Sequence, residues 1–140
     1  GAKEEFLQNY AYRQKKFSPE EVIFVIKPSK IKIAQLYQQA DIFVFASITE
    51  TQGLVIMEAL AAGTPVIATN RPVINEVIKE GENGFLTETS AEMAQKITWL
   101  SNNENVWEQL QKNAFKSAYT YQITKTAEKL VQFYKKISHL

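Results

Sequence analysis

Cysteine is absent from the 140 residues, which excludes disulfides, zinc–thiolate sites and a cysteine nucleophile. Asp41 is the only aspartate and His139, one residue from the C-terminus, the only histidine. A paired-aspartate metal motif is therefore impossible. A Ser-His-Asp triad is not credible either, because His139 reads as a frayed tail residue. An excess of one charge is missing too: 16 Lys+Arg against 15 Asp+Glu leave +1, which gives no reason to invoke nucleic acid as a partner. No apolar run approaches the roughly 18 residues of a membrane span. The longest, GLVIM and then ALAAGTPVIA, is broken by Glu58, Gly63 and Pro65. No signal-peptide pattern precedes the first helical segment, so a cytoplasmic location is expected.

What is present suits one α/β domain. The length allows a sizeable core, and 45% apolar with 22% charged residues is ordinary for a globular protein. Residues Gly1 to about Lys16 have a helical pattern, Ser18 to Glu21 supply a turn, and the β-branched run Val22–Ile26 predicts a strand stopped by Pro28. A helix opening at Ser29 or Lys30 ends near Ala40. Ile42–Ala46, apolar throughout, predicts a strand covered on both faces. After a central helix, Gly63 caps and Pro65 starts the strand PVIAT. Pro72 opens a helix through Lys79, ended by Gly81, and Asn83–Leu86 gives a brief edge strand. Three helices follow: Ser90–Leu100 with Ser90 as its cap, Asn103 to about Ala118, and Ile123–Ile137. Strand and helix alternation from Val22 to Leu86 predicts a parallel, doubly wound sheet of about four strands, partial and Rossmann-like, flanked by helices.

The stretch ETQGLVIMEALAAGTPVIA, Glu50 to Ala68, is where chemistry concentrates. From Gly53 to Ala68 there are sixteen residues, and Glu58 alone among them is charged. A carboxylate in so apolar a run is costly to bury unpaired, so it is either exposed through a gap in the packing or met by a dedicated partner. A helix starting near Gln52 or Gly53, with Thr49 and Thr51 as candidate N-caps, puts Leu54, Glu58 and Ala62 on one face. Glu58 then lies roughly 8 Å along the axis from Gly53. Glu50 precedes the helix, where unpaired N–H groups and the positive dipole end gather. A nucleoside diphosphate sugar fits this layout: pyrophosphate on the N–H groups around Gly53 to Val55, and sugar hydroxyls on the two carboxylates. The plainer alternative is a favourable carboxylate at a helix start and a half-exposed Glu58 on an amphipathic helix.

The spacing E-x(7)-E, with Gly53 inside it and AAGTPVIA after it, resembles the donor-binding half of family 4 retaining glycosyltransferases, which have the GT-B fold. The likeness runs from about Val22 to the C-terminus through YQQADIFVFAS, ETQGLVIMEALAAGTPVIA and NEVIKEGENGFL. It implies that Glu50 contacts the transferred sugar as the catalytic carboxylate and that Glu58 holds the ribose hydroxyls. Thr51, Gln52, Gly53, Leu54 and Val55 would complete the donor site, with Ile26, Lys27 and Pro28 near the base. The plainer alternative for those last three is a strand end and a turn. The wording ETQGL looks most like members that make glycolipids.

The resemblance implies transfer of a hexose from a UDP- or GDP-sugar to a lipid or glycan hydroxyl, without metal or other cofactor. It also carries departures. Asn70-Arg71-Pro72 stands where the family has a glycine pair, whereas Glu76 matches a family position of structural role. The resemblance implies that residues 1–140 form one truncated nucleotide-sugar-binding domain lacking its N-terminal acceptor domain. A fragment of that kind is expected to be inactive alone. Lys125, Lys129, Lys135 and Lys136 read as a solvated face, the alternative being a peripheral contact of the parent with anionic lipid at the inner face of the plasma membrane. The rivals are a non-catalytic binding fragment and a nucleotide-sugar epimerase. Val22–Ile26 either pairs directly with Ile42–Ala46, the favoured outcome because unpaired edges cost backbone hydrogen bonds, or is displaced or paired with another molecule through the exposed edge.

Overall fold

Pro65 and the apolar run behind it set the middle of the structure. Val66, Ile67 and Ala68 are each fully buried, as expected of a strand with neighbours on both edges and helices on both faces. The computed structural model describes residues 2–47 and 53–120, and the chain divides into two compact units, 1–33 and 34–140.

In the second unit three strands form a parallel sheet in the order β1-β2-β3: β1 (Phe43–Phe45), β2 (Val66–Thr69) and β3 (Gly84–Thr87). Phe43 pairs with Val66 and Val66 with Gly84, so the carboxyl ends of all three strands share one edge. The helix Leu54–Ala61 links β1 to β2 and the helix Pro72–Val77 links β2 to β3. We number the helices in chain order: α1 (Ala2–Asn9), α2 (Lys30–Gln39), α3 (Leu54–Ala61), α4 (Pro72–Val77), α5 (Ser90–Ser101) and α6 (Glu104–Thr120).

Alternation along β2 divides the core. Val66 and Ala68 pack with Ile56, Ala59 and Leu60 of α3, Ile74 and Val77 of α4, and Ala114 of α6. Ile67 points the other way, with Phe85, Met93, Leu100 and Leu110. On the outer side of that second cluster Lys96 Nζ lies 4.3 Å from the Phe85 ring centroid and 5.1 Å from that of Trp99. α6 is fastened to the start of β1 by Trp107, whose indole N–H donates to the Asp41 carbonyl at 2.6 Å.

The termini of α3 and α5 show how local chemistry sets the frame. α3 ends in a left-handed Gly63 (φ +81°), with Gly63 N–H donating to Leu60 O and Thr64 N–H to Ala59 O, both at 3.0 Å. This pair of bonds satisfies carbonyls that the helix end would orphan, in the conformation glycine adopts most readily. At α5 the cap is Thr89 rather than the expected Ser90: Thr89 Oγ1 accepts from Glu92 N–H at 3.1 Å, and Glu92 Oε2 accepts from Glu88 N–H at 2.8 Å.

Three further expectations are corrected. Residues 22–26 form no strand, so the described sheet has three strands and the expected pairing of Val22–Ile26 with Ile42–Ala46 is not made. Composition favours extension there, but a strand is stable only with a ladder partner and a covered face. Ile23 is 75% exposed, and the Val22 carbonyl is taken by the Tyr12 hydroxyl at 2.6 Å. The first helix stops at Asn9 and gives way to a π-helical turn, Tyr10–Gln14, closed by Lys15 N–H on Tyr10 O. β1 lies at the edge of the described sheet, with Val44 41% exposed, so it is not covered on both faces. The expected helix Ile123–Ile137, with its lysines, and His139 lie outside the described residues.

Candidate functional site

Ligands of open α/β sheets bind beyond the carboxyl ends of the strands. Here that edge carries Ala46 and Ser47 after β1, Asn70 and Arg71 after β2, and Glu88 with Thr89 after β3. The segments after β2 and β3 are tied together. Asn70 N–H donates to Thr87 O at 2.8 Å, and the Asn70 side-chain amide donates to the Glu88 carboxylate. Arg71 is half-buried, with Nη1 donating to Asn70 O at 2.9 Å. An arginine on the turn after the central strand is a cation on this edge. The sequence did not single it out for that role, although its position after PVIAT was the available signal.

Gly53 is the N-cap of α3, with φ +64°. Thr49 and Thr51, the candidate caps, lie outside the described residues, as do Glu50 and Gln52. A left-handed cap suits glycine because any Cβ there would be strained. The space around it is not the constraint: an added Cβ would meet only Val77 Cγ2, at 3.6 Å. The Gly53 carbonyl accepts from the N–H groups of both Ile56 and Met57 at 3.0 Å, which closes the first turn. The preceding N–H groups, those of Leu54 and Val55, are the ones that a helix leaves without an intrahelical acceptor. Leu54 is 54% exposed and Val55 half-buried against the core.

One turn further, Glu58 is exposed on the same outward face as Leu54, because burial of Ile56, Ala59 and Leu60 fixes the rotation of α3. The dilemma posed by a carboxylate in this apolar run is resolved by exposure: Glu58 reaches solvent. Tyr37, near the end of α2, stands where its phenol feels the Glu58 charge. Tyr37 is half-buried, its ring edge-on to Phe43 at 5.2 Å, and its carbonyl accepts from Thr64 Oγ1 at 2.6 Å. Burial and then the negative charge of Glu58 push the Tyr37 phenol above its ordinary pKa of 10.0.

That shift links stability to pH with a definite sign. The folded state holds the Tyr37 proton more tightly than the unfolded state, so the stabilisation is complete below the unfolded value of 10.0 and is lost as pH rises through the higher folded value. Tyr37→Phe is expected to flatten the alkaline loss of stability, as read from urea denaturation at about pH 9 and about pH 11. An unchanged slope would refute the linkage.

The structure thus brings Gly53, Leu54, Val55 and Glu58 together on α3. Ile26, Lys27 and Pro28 belong to the first unit, where Lys27 has φ +48°, Ile26 is 49% exposed and Pro28 is half-buried. Among the described residues no group of three or more His, Cys, Asp or Glu could hold a metal ion, and no helix is long and apolar enough to cross a membrane. Tyr37 and Thr64 are site residues that the sequence does not reveal; the only signal for Tyr37 is its place in YQQAD just before β1.

A family model described as glycosyl transferases group 1 matches residues 1–117. The alpha-monoglucosyldiacylglycerol synthase of Acholeplasma laidlawii is 36% identical over 90 residues, which cover 64% of this chain and 23% of that protein. Among solved structures, the C-terminal domain of a group 1 family glycosyl transferase, LpcC, from Francisella tularensis is 27% identical, with a TM-score of 0.68 over 85% of this chain and 64% of that one. Anabaena Alr3699/HepE, in complex with UDP-glucose, is also 27% identical, with a TM-score of 0.75 over 97% of this chain and 36% of that one. The chain spans about a quarter of the length of the curated relatives it matches.

Proposed function

The chain belongs to the group 1 glycosyl transferases and has the fold of a C-terminal GT-B domain, and on that premise we propose that it supplies the donor-binding half of a retaining hexosyltransferase. The donor is a nucleoside diphosphate hexose and the acceptor a hydroxyl of a lipid or glycan. The observation that carries this reading is the geometry of α3: a left-handed Gly53 opens the helix on the carboxyl edge of the sheet, with Glu58 exposed one turn on.

In this reading the diphosphate lies on the Leu54 and Val55 N–H groups, which stabilise it as it leaves. Gly53 allows close approach, and Glu58 accepts from the ribose diol. Glu50 orients the hydroxyls of the transferred sugar, and Thr51 and Gln52 complete the donor site. The leaving diphosphate itself helps deprotonate the acceptor on the same face, so no protein nucleophile and no metal are required. UDP-glucose in the Anabaena protein favours a UDP-hexose donor, and the Acholeplasma synthase favours a diacylglycerol-type acceptor at a membrane surface. Residues 1–140 match only about a quarter of the length of the curated relatives, and the isolated chain is expected to transfer no sugar.

Calorimetric titration of UDP, UDP-glucose and GDP-mannose against the wild-type chain and Glu58→Ala tests this. Saturable binding is expected for one nucleotide, weakened about tenfold to a hundredfold in the variant, the loss appropriate to charge-assisted hydrogen bonds. A folded chain that binds none of the three refutes a donor site here. Sugar transfer by the purified chain refutes its inactivity.

A further inference from the structure

β3 is an outer strand of the described sheet, with β2 on one side of it. An edge strand presents main-chain N–H and C=O groups along its free side, a template on which another chain can pair. Alternation decides which groups these are. The Asn83 carbonyl accepts from Val66 N–H and the Thr87 carbonyl from Asn70 N–H, so these residues face β2. Gly84 and Leu86, with Glu88 just beyond the strand, therefore direct their main-chain groups outward.

All three positions are already engaged, and by near neighbours in the chain. Gly84 forms a one-residue parallel bridge to Glu80, in which its carbonyl accepts from Gly81 N–H at 2.9 Å. Leu86 N–H donates to Glu80 Oε2 at 2.7 Å, and Glu88 N–H donates to Glu92 Oε2 at 2.8 Å. Both donors thus end on carboxylates, at the short lengths of charge-assisted bonds. Both glutamates are exposed, so core packing does not explain where they point. Glu92 has a second duty as the reciprocal half of the Thr89 cap of α5, whereas Glu80 lies outside any helix. Nor is it lack of space that closes the edge: a cavity of about 330 Å³ lies against it, lined among others by Glu80, Glu92, Leu86, Thr87 and Trp99. An incoming strand would find room there, with the Leu86 and Glu88 donors already spent.

We propose that Glu80, with Glu92 beside it, keeps the edge of β3 closed to strand addition, and that the partner it excludes is the same edge of a second copy of this chain. Such a pairing is self-complementary. Leu86 directs both its N–H and its carbonyl outward, so two antiparallel β3 strands related by a twofold axis at Leu86 would exchange two N–H···O bonds. With each Leu86 N–H held by its own Glu80, neither bond forms. The inference stands on the sheet alone and is independent of the donor site.

The test compares Glu80→Ala, Glu80→Gln and Thr89→Ala with the wild-type chain, by sedimentation velocity over a concentration series and by amide hydrogen exchange read by NMR. In Glu80→Ala, exchange at Leu86 is expected to rise about tenfold in dilute solution, the loss of one charge-assisted bond. It is expected to slow again at higher concentration, as the variant associates about tenfold more tightly than wild type. Glu80→Gln keeps a side-chain carbonyl as acceptor and is expected to stay within about threefold of wild type in both readouts. Thr89→Ala removes the α5 cap without freeing Leu86, so wild-type association is expected. Association of Thr89→Ala as strong as that of Glu80→Ala would mean that lost stability drives it, and overturns the proposal. Unchanged Leu86 exchange in Glu80→Ala shows that the bond does not close the edge. Faster exchange without tighter association shows that it keeps no second copy away. Association without renewed protection at Leu86 places the contact elsewhere, and each of these three results overturns the proposal.

Discussion

Gly84→Ala is expected to destabilise the chain by about 3 kcal/mol or more, lowering Tm by roughly 10 °C. A Cβ at Gly84 would lie 2.2 Å from Val66 O, 3.1 Å from Val66 C and 3.3 Å from Val66 N. All three are backbone atoms of the neighbouring strand, so no rotamer change can relieve the contact. The β2–β3 ladder must part, and Val66 N–H must release Asn83 O, now at 3.4 Å. Strand separation also loosens the carboxyl edge, where Asn70 N–H meets Thr87 O at 2.8 Å. Gly81→Ala is the control. Its Cβ meets nothing within 4 Å, and its φ of +72° carries only the ordinary left-handed penalty of about 1 kcal/mol. Urea denaturation of the two variants should rank Gly84→Ala well below Gly81→Ala; equal losses would mean that backbone proximity is not what requires glycine at 84.

How much of the fold and of the candidate site is legible in the sequence depends on how local each cause is. Phe43–Phe45, Val66–Thr69 and Gly84–Thr87 fall within or beside the predicted strands, because apolar runs bounded by Pro and Gly are local signals. Val22–Ile26 carries the same β-branched signal and forms no strand, since strand formation is decided by a neighbour that the run itself does not contain. Glu58 shows both sides. Its isolation in an apolar stretch announces that it needs exposure or a partner, yet the phenol that feels its charge, Tyr37, lies 21 residues earlier and is brought in by packing alone. Gly84 falls inside the predicted edge strand. A lone glycine in a strand pattern is itself a sign of close backbone approach, so its cause was local and open to inference.

The same strand depends on a residue whose importance only its burial reveals. Asn83→Ala is expected to cost about 2–4 kcal/mol, the sum of two lost hydrogen bonds and the desolvation left behind. Asn83 is fully buried. Its Oδ1 accepts from Lys79 N–H at 2.8 Å and its Nδ2 donates to Val77 O at 3.1 Å, while its main-chain N–H donates to Lys79 O at 3.2 Å. The side chain therefore closes the turn after α4, where Ile78 is already extended and the helix has no further carbonyls to offer. Alanine keeps the main-chain bond but orphans the Val77 carbonyl in the interior and the Lys79 N–H near it. Asn83→Asp decides between lost packing and lost hydrogen bonding. It is close to isosteric and retains an acceptor for Lys79 N–H, but it sets a carboxylate oxygen against Val77 O in a buried site. If hydrogen bonding governs, Asp is at least as destabilising as Ala in chemical denaturation; if volume governs, Asp is nearly silent. The first outcome is expected, because a buried carbonyl facing a carboxylate is worse off than one facing a void. Since α4 carries the Val77 that flanks Gly53, 3.6 Å from where a Cβ would stand, either variant also disturbs the mouth of α3 and should weaken nucleotide binding in step with stability.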